Sequence, residues 1–403
     1  MKNNTEKIFW RECRDGLRDS STLDKHMMKK VLLLLLAILV LAASGCRDGT
    51  AVDKPTGAPA GASAPVTQTM EVPTTAPPVF EWQTGTPQAH GMDAAVLEKM
   101  HGAVQQDDDI LSVVVVKNGV IIDEYYKEGK DETSVFPLHS CTKSFTSALI
   151  GIAIDEGLID GVDVLISDYF PQIVGEPGRE DIKIRHLLEH TSGIEWPEWG
   201  SGASKWFAFV TSSNWVNYVL SRPMAAKPGD AFNYSTGNTH LLSAILDQVY
   251  AGRATDFAQD RLLGPLGIEN YELNADPQGI MDGGSGLAMS ARDSAKFGQL
   301  LLQRGKWYDT PGGAARQIVP ADWLAEATRA HAAGYNRYGK YGYQFYIKSF
   351  GKYDGYYAAG HGGQYIFVVP ALELVTVINS WTFGNMYTPQ TYFQDYVLKA
   401  LAG

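Results

Sequence analysis

Ser140 and Lys143 stand three residues apart in Leu138-His139-Ser140-Cys141-Thr142-Lys143. On a helix that spacing puts both side chains on one face. A lysine held in a dry pocket loses proton affinity and can take the proton of a hydroxyl. The chemistry on offer is a serine nucleophile that attacks a carbonyl and is acylated. Spacing alone is a poor guide, because average composition yields Ser-x-x-Lys about once per few hundred residues, and Ser349 and Lys352 repeat it in this chain. Context separates the two pairs. Phe145 to Ile154 is apolar almost all round, the pattern of a helix buried in a core, and it ends near Gly157, where a helix can stop. Ser349 sits among Gly and Tyr with no helical pattern behind it. A helix that begins at Ser140 adds unpaired backbone N–H groups and a positive end for a developing oxyanion. The plain alternative is that Ser140 caps the helix while Lys143 snorkels to solvent.

A second set of residues suits different chemistry. His186-Leu187-Leu188-Glu189-His190 fits His-x-x-Glu-His, in which two histidines at i and i+4 on one helical face bind zinc. That reading needs a third ligand from another element, and the local pattern ends at once in Thr191-Ser192-Gly193. Ser212-Ser213-Asn214 has the form Ser-x-Asn, but it precedes the apolar run Trp215 to Leu220, so a helix cap explains it more simply.

Two hairpins and five helical patterns must position these groups. Ser112 to Lys117 and Val120 to Tyr126 flank Asn118-Gly119, the strongest short hairpin signal. Gln364 to Val369 and Leu374 to Ile378 form a second hairpin around Pro370-Ala371-Leu372-Glu373. Between them helical periodicity predicts helices over 143–156, 183–190, 238–251, 291–304 and 320–328. Strands at both ends with helices between give an α+β body: one antiparallel sheet built from both chain ends, with a mostly helical inserted subdomain. A cleft is expected where the two meet.

Four stretches then occur in a telling order: Leu138 to Phe145 around Ser140, Ile184 to Ile194, Lys227-Pro228-Gly229-Asp230-Ala231-Phe232-Asn233-Tyr234-Ser235, and Gly360-His361-Gly362-Gly363-Gln364. Over roughly residues 85 to 400 the chain resembles the serine β-lactamase and penicillin-binding-protein superfamily. Its nearest likeness there is the class C branch, which includes esterases and 6-aminohexanoate-dimer hydrolases. The resemblance implies that Ser140 is acylated, that Lys143 helps deprotonate it, and that Tyr234 shuttles a proton to and from the leaving group. Without it, Tyr234 reads as an ordinary buried tyrosine after a turn. It also implies that His361-Gly362-Gly363 stands where the family has Lys-Thr-Gly, with a backbone N–H near Gln364 completing the oxyanion hole. Two departures carry weight: Tyr234-Ser235-Thr236 replaces Tyr-x-Asn, and His361 replaces a charged lysine. Both weaken recognition of a β-lactam's carboxylate and favour ester, amide or peptide substrates. A protein that acylates once and does not turn over, binding penicillin or peptidoglycan fragments, is the alternative within the resemblance. Neither reading asks for a metal or an organic cofactor. Glu195-Trp196-Pro197-Glu198-Trp199 and Trp206 suit either an aromatic substrate rim or a loop packed on its own domain.

The rest of the chain concerns location. Residues 27–46 run from Met27-Met28-Lys29-Lys30 through an apolar stretch to Ser44-Gly45-Cys46, the order of a signal peptide. The apolar run is shorter than the roughly 18 to 20 residues a spanning helix needs. It resembles a bacterial lipobox with Cys46 as the lipidated residue, although Ala43 stands where that box usually has Leu. The expected organisation is residues 1–46 as an upstream segment plus signal, 47–80 as an Ala/Pro/Thr-rich tether, and 81–403 as the hydrolase domain. This predicts an exported protein held at a membrane by a lipid anchor. With Cys46 acylated and Cys13 removed, Cys141 is the remaining cysteine and no intrachain disulfide can form. The 403 residues carry 45 acidic and 34 basic side chains, a net charge of −11, with no clustered basic stretch in the body of the chain. Nucleic acid is therefore excluded as an expected partner.

Overall fold

The computed structural model describes residues 80–198, 204–308, 313–382 and 385–401. Cys13, Cys46, the expected signal segment, nearly all of the expected tether and Trp199 lie outside these. The helices are α1 Ala94–Gln106, α2 Thr142–Asp155, α3 Ile184–Leu188, α4 Ser204–Val210, α5 Trp215–Leu220, α6 Thr236–Val249, α7 Ala254–Ala258, α8 Ala291–Leu302, α9 Ala321–Ala327 and α10 Thr388–Tyr392. The strands are β1 Ile110–Lys117, β2 Val120–Tyr126, β3 Val135–Pro137, β4 Tyr271–Leu273, β5 Leu287–Ser290, β6 Lys306–Tyr308, β7 Ala315–Gln317, β8 Ala332–Tyr335, β9 Gly339–Tyr341, β10 Tyr346–Phe350, β11 Tyr353–Gly360, β12 Gln364–Val369 and β13 Leu374–Ser380.

The Asn118-Gly119 turn forms as the sequence predicts. Lys117 pairs with Val120, and the two turn residues adopt φ of 53° and 76°, the left-handed pair that matches the twist of a two-residue hairpin. β13 returns from the far end of the chain to pair antiparallel with β1, Val114 opposite Val377. The resulting eight-stranded sheet runs β2-β1-β13-β12-β11-β10-β9-β8. Its second half, β8 to β11, is an addition to the expected sheet. These strands are Tyr- and Gly-rich and lack clean alternation, yet tyrosine suits a pleated, half-buried surface, and Tyr346 pairs with Tyr357 across β10 and β11.

Both faces of this sheet are covered, which is why β1 reads as a continuous run of valine rather than an alternating one. Val114 and Val116 enter the larger core, with the apolar sides of α2, α6 and α8. Val113 and Val115 enter the other, with Leu97, Met100 and Val104 of α1 and with Phe393 and Val397 near the C-terminus. The helical patterns appear as α2, α3, α6, α8 and α9, with the 183–190 pattern shortened to one turn and a half. α2 is buried from Thr142 through Ala153. A helix enclosed on every side can carry a side chain into a dry interior, and Lys143 sits on its first turn.

Candidate active site

The chain reaches α2 through a single 3₁₀ turn, His139–Cys141, that carries Ser140. His139 enters this turn at φ 47°, a left-handed conformation costly for a side-chain-bearing residue and found where tertiary structure over-determines the backbone. The end of β11 presses on the same turn. A Cβ on Gly360 would lie 2.2 Å from the carbonyl oxygen of Leu138, so only glycine permits this approach. Strand edge and nucleophile turn are thereby held against each other.

Lys143 is 1 % exposed, and its Nζ touches three oxygens: Ser140 Oγ at 3.1 Å, Thr236 Oγ1 at 3.1 Å and the carbonyl of Gly284 at 2.7 Å. Gly284 is delivered by a loop that Asp282 folds, its carboxylate accepting from the N–H groups of Gly284 and Ser285 at 3.1 and 3.0 Å. Burial disfavours the ammonium form and brings the lysine pKa down to about 8, while the negative charges of Glu198 and Asp282 oppose the fall. At neutral pH a usable fraction of the amine is therefore a base.

Tyr234 immediately precedes Ser235, whose side chain caps α6 by accepting from the N–H of Asn238 at 3.1 Å. The tyrosine is 3 % exposed, its hydroxyl is hydrogen-bonded to Ser140, and burial pushes its pKa far above the usual phenol value. It is a neutral phenol, with a proton available to give at Ser140 Oγ. Its ring lies with its centroid 5.0 Å from Lys143 Nζ and is braced by the ring of His190 at 4.6 Å. Thr236, two residues on, gives its N–H to Glu198 Oε2 at 2.8 Å and its hydroxyl to Glu198 Oε1. The indole N–H of Trp196 also donates to Glu198.

Ser140 and Tyr234 open onto a cleft of about 500 Å³. One wall is the end of β11 with Ala359, Gly360 and His361; the other is aromatic, with Tyr335, Tyr338, Tyr346 and Tyr387, and with Arg337 among them. No acidic residue lines it among the described residues. The Arg337 guanidinium lies over the Tyr387 ring at 4.9 Å. Desolvation lowers the pKa of His361, so it faces the cleft largely uncharged at neutral pH.

The structure thus brings Ser140, Lys143, Tyr234 and His361 together. It does not bring Gly363 and Gln364 into the cleft. The β11–β12 connection is so tight that Gly360 pairs with Gln364. The Gly363 N–H is held by the Gly360 carbonyl at 3.2 Å, and the Gln364 side chain is buried and donates to the Ser380 carbonyl. The cleft edge beside Ser140 is accordingly Gly360–His361, a few residues earlier than expected, because the strand facing the nucleophile is β11 and Gln364 opens the next one.

The zinc alternative loses its geometry. α3 stops at Leu188, and His190 turns left-handed at φ 56° into an aromatic core beside Tyr234 and Tyr341. His186 instead turns its Nδ1 to the Lys183 N–H at 3.1 Å, so the two histidines share no helical face. Ser349 lies on β10 with its hydroxyl on Asp354 at 2.6 Å, remote from Lys143. Asn214 caps α5, accepting from the Asn217 N–H at 2.8 Å. Trp196 is buried against Phe209 rather than forming a rim.

Sequence reasoning missed Glu198, Thr236 as a partner of Lys143, Gly284 and Arg337. Gly283-Gly284 beside Asp282 was a usable sign of close backbone approach: a Cβ on Gly284 would meet the Thr236 methyl at 2.7 Å. Glu198 had no such sign, since it acts across 38 residues of sequence.

The model of the family described as Beta-lactamase matches residues 97–395. A 6-aminohexanoate-dimer hydrolase of Paenarthrobacter ureafaciens is 24 % identical over 223 residues, covering 52 % of this chain and 55 % of the relative. A putative D-alanyl-D-alanine carboxypeptidase of Salmonella paratyphi A is 23 % identical over 220 residues, covering 47 % and 50 %. The chain thus spans about half the length of these curated relatives. The solved structure of a putative 6-aminohexanoate-dimer hydrolase from Bacillus anthracis superposes with a TM-score of 0.65 at 21 % identity, covering 80 % of this chain and 88 % of that one. It has the same α+β fold.

Proposed function

The chain belongs to the β-lactamase family, and from that premise we propose that it is a serine hydrolase that cleaves an ester or amide through an acyl-enzyme on Ser140. The observation that carries this reading is the approach of Lys143 Nζ to Ser140 Oγ, 3.1 Å, inside a dry pocket. The neutral lysine removes the Ser140 proton as Oγ bonds to the substrate carbonyl carbon. The carbonyl oxygen then becomes an oxyanion, held by the N–H groups of Ser140 and of the Gly360–His361 edge. Tyr234, a phenol kept protonated by burial, gives its proton to the leaving alkoxide or amine and recovers one from the Lys143 ammonium. A water then attacks the acyl-enzyme with the same groups working in reverse, and Ser140 departs reprotonated.

Substrate class follows from the cleft. Its tyrosine wall favours apolar groups, and Arg337 adds a site for an anionic one. The absence of an asparagine at Thr236 and of a lysine at His361 argues against a β-lactam as the principal substrate. The relatives named as a hydrolase of 6-aminohexanoate dimers and a putative carboxypeptidase suit amide cleavage. The signal-like order of residues 27–46 supports export, with a lipid on Cys46 holding the protein at a membrane.

Labelling by a fluorophosphonate probe tests the nucleophile: wild type should be labelled and Ser140→Ala should not, and persistent labelling of the alanine variant overturns the proposal. Nitrocefin, short p-nitrophenyl esters, D-alanyl peptides and linear amide oligomers then rank the substrate classes. A single burst with no steady rate would point to the non-turnover binder instead. Metabolic labelling with a fatty-acid analogue, lost in Cys46→Ser, tests the anchor.

A further inference from the structure

Of the three oxygens around Lys143 Nζ, two can only accept a hydrogen bond. The Gly284 carbonyl, at 2.7 Å, has no proton. Thr236 Oγ1, at 3.1 Å, is a hydroxyl and could in principle donate to the lysine lone pair, which would occupy the electrons needed for catalysis. Its proton, however, is engaged by Glu198 Oε1. The same carboxylate accepts the Thr236 N–H at 2.8 Å and the Trp196 indole N–H. Three donors converge on Glu198, and an ionised carboxylate has no proton to return.

We propose that Glu198 is a positioning residue for the Ser140 reaction: by holding the Thr236 hydroxyl proton it makes Thr236 an obligate acceptor and so turns the lone pair of neutral Lys143 onto Ser140. A neutral amine has two N–H bonds and one lone pair. Gly284 and Thr236 take the two bonds, and the remaining direction is that of Ser140 Oγ. The Ser140 O–H bond then breaks toward nitrogen as Oγ bonds to carbon, and the resulting ammonium has three donors for the same three oxygens. No group has to rotate during proton transfer, the kind of preorganisation that lowers a barrier. The inference rests on the proposed serine hydrolase reading.

The test is a double-mutant cycle on the acylation rate of fluorophosphonate labelling, with Glu198→Ala, Thr236→Val and the pair, each checked for an unchanged melting curve. In Glu198→Ala the Thr236 hydroxyl is free to donate to Lys143; in Thr236→Val the second N–H has no acceptor. Each should lose about 10- to 100-fold in rate, no more than the lower end of what a positioned base contributes because the base itself remains, and the double variant should be no slower than either single. Additive losses, or wild-type rates in both singles, overturn the proposal. The pH profile separates positioning from simple charge. Lys143 is faced by Glu198 and Asp282, by Cys141 and Tyr234, and by the histidines His139 and His190, whose pKa values it lowers. Removing the Glu198 charge should move the acid limb to lower pH; a charge effect leaves the plateau intact, whereas lost positioning lowers it. If wild type itself takes no label, the hydrolase reading fails; if wild type labels and the variants match it, only the role of Glu198 fails.

Discussion

Lys143 Nζ lies 3.1 Å from Ser140 Oγ with the lysine 1 % exposed, so an amine shut away from water meets a hydroxyl that opens onto the cleft. Burial sets the proton affinity of the first, and the turn that carries the second fixes its direction.

The pH dependence of acylation follows. With the Lys143 pKa lowered to about 8, the reactive form is the free amine, so the rate should fall about tenfold per pH unit below pH 8 and level off above it. Single-turnover labelling from pH 5 to 10 checks this. Lys143→Arg, which stays charged throughout, should lose about 10²- to 10⁴-fold and show no such limb.

Tyr234→Phe removes the leaving-group proton while keeping the ring that lies against Lys143 and His190. Hydrolysis of an ester with a poor alcohol leaving group should drop by about 10²- to 10⁴-fold. A p-nitrophenyl ester, whose phenolate leaves unaided, should be acylated with a much smaller loss. Equal losses on both substrates would place Tyr234 outside the leaving-group step.

Acid should unfold the protein earlier than its carboxylates alone require. Burial, reinforced by the charges of His361 and Lys143, lowers the His139 pKa to about 4, and burial lowers that of His190 well below its usual value. Both are neutral in the fold, but both bind protons in the unfolded chain once pH falls through about 6.5. The unfolded state then holds more protons, so stability is complete above pH 6.5 and is lost as pH falls toward 4. Urea midpoints measured from pH 7.5 to 4.5 should fall across that window, and His139→Asn should flatten part of the fall.

Gly360→Ala forces a methyl to within 2.2 Å of the Leu138 carbonyl, which the backbone must relieve by parting β11 from the nucleophile turn. Overpacking of this kind costs about 1–3 kcal/mol, and the oxyanion edge moves with the strand. The variant should melt at lower temperature and lose kcat more than KM rises. Gly351→Ala, whose added methyl meets nothing within 4 Å but sits at φ 61°, should destabilise without a comparable loss of kcat.

Periodicity and turn chemistry made much of the frame legible: the Asn118-Gly119 hairpin, the all-apolar helix behind Ser140, and the strand pair around Pro370. Those are local signals, because hydrophobic pattern and left-handed turns are properties of neighbouring residues. That Ser140, Lys143 and Tyr234 belong together was also legible, the last through a likeness to known sequences rather than through its surroundings. The residues edging the cleft beside Ser140 came a few positions earlier than expected because a strand's register against another element is set by packing, here by how closely Gly360 meets Leu138. Glu198 was invisible for a related reason. Whether a glutamate on a loop is a solvated charge or the acceptor that aims a lysine depends on which distant hydroxyl the fold sets beside it, and no spacing encodes that. Sequence determined which groups could react; tertiary structure decided which way their protons point.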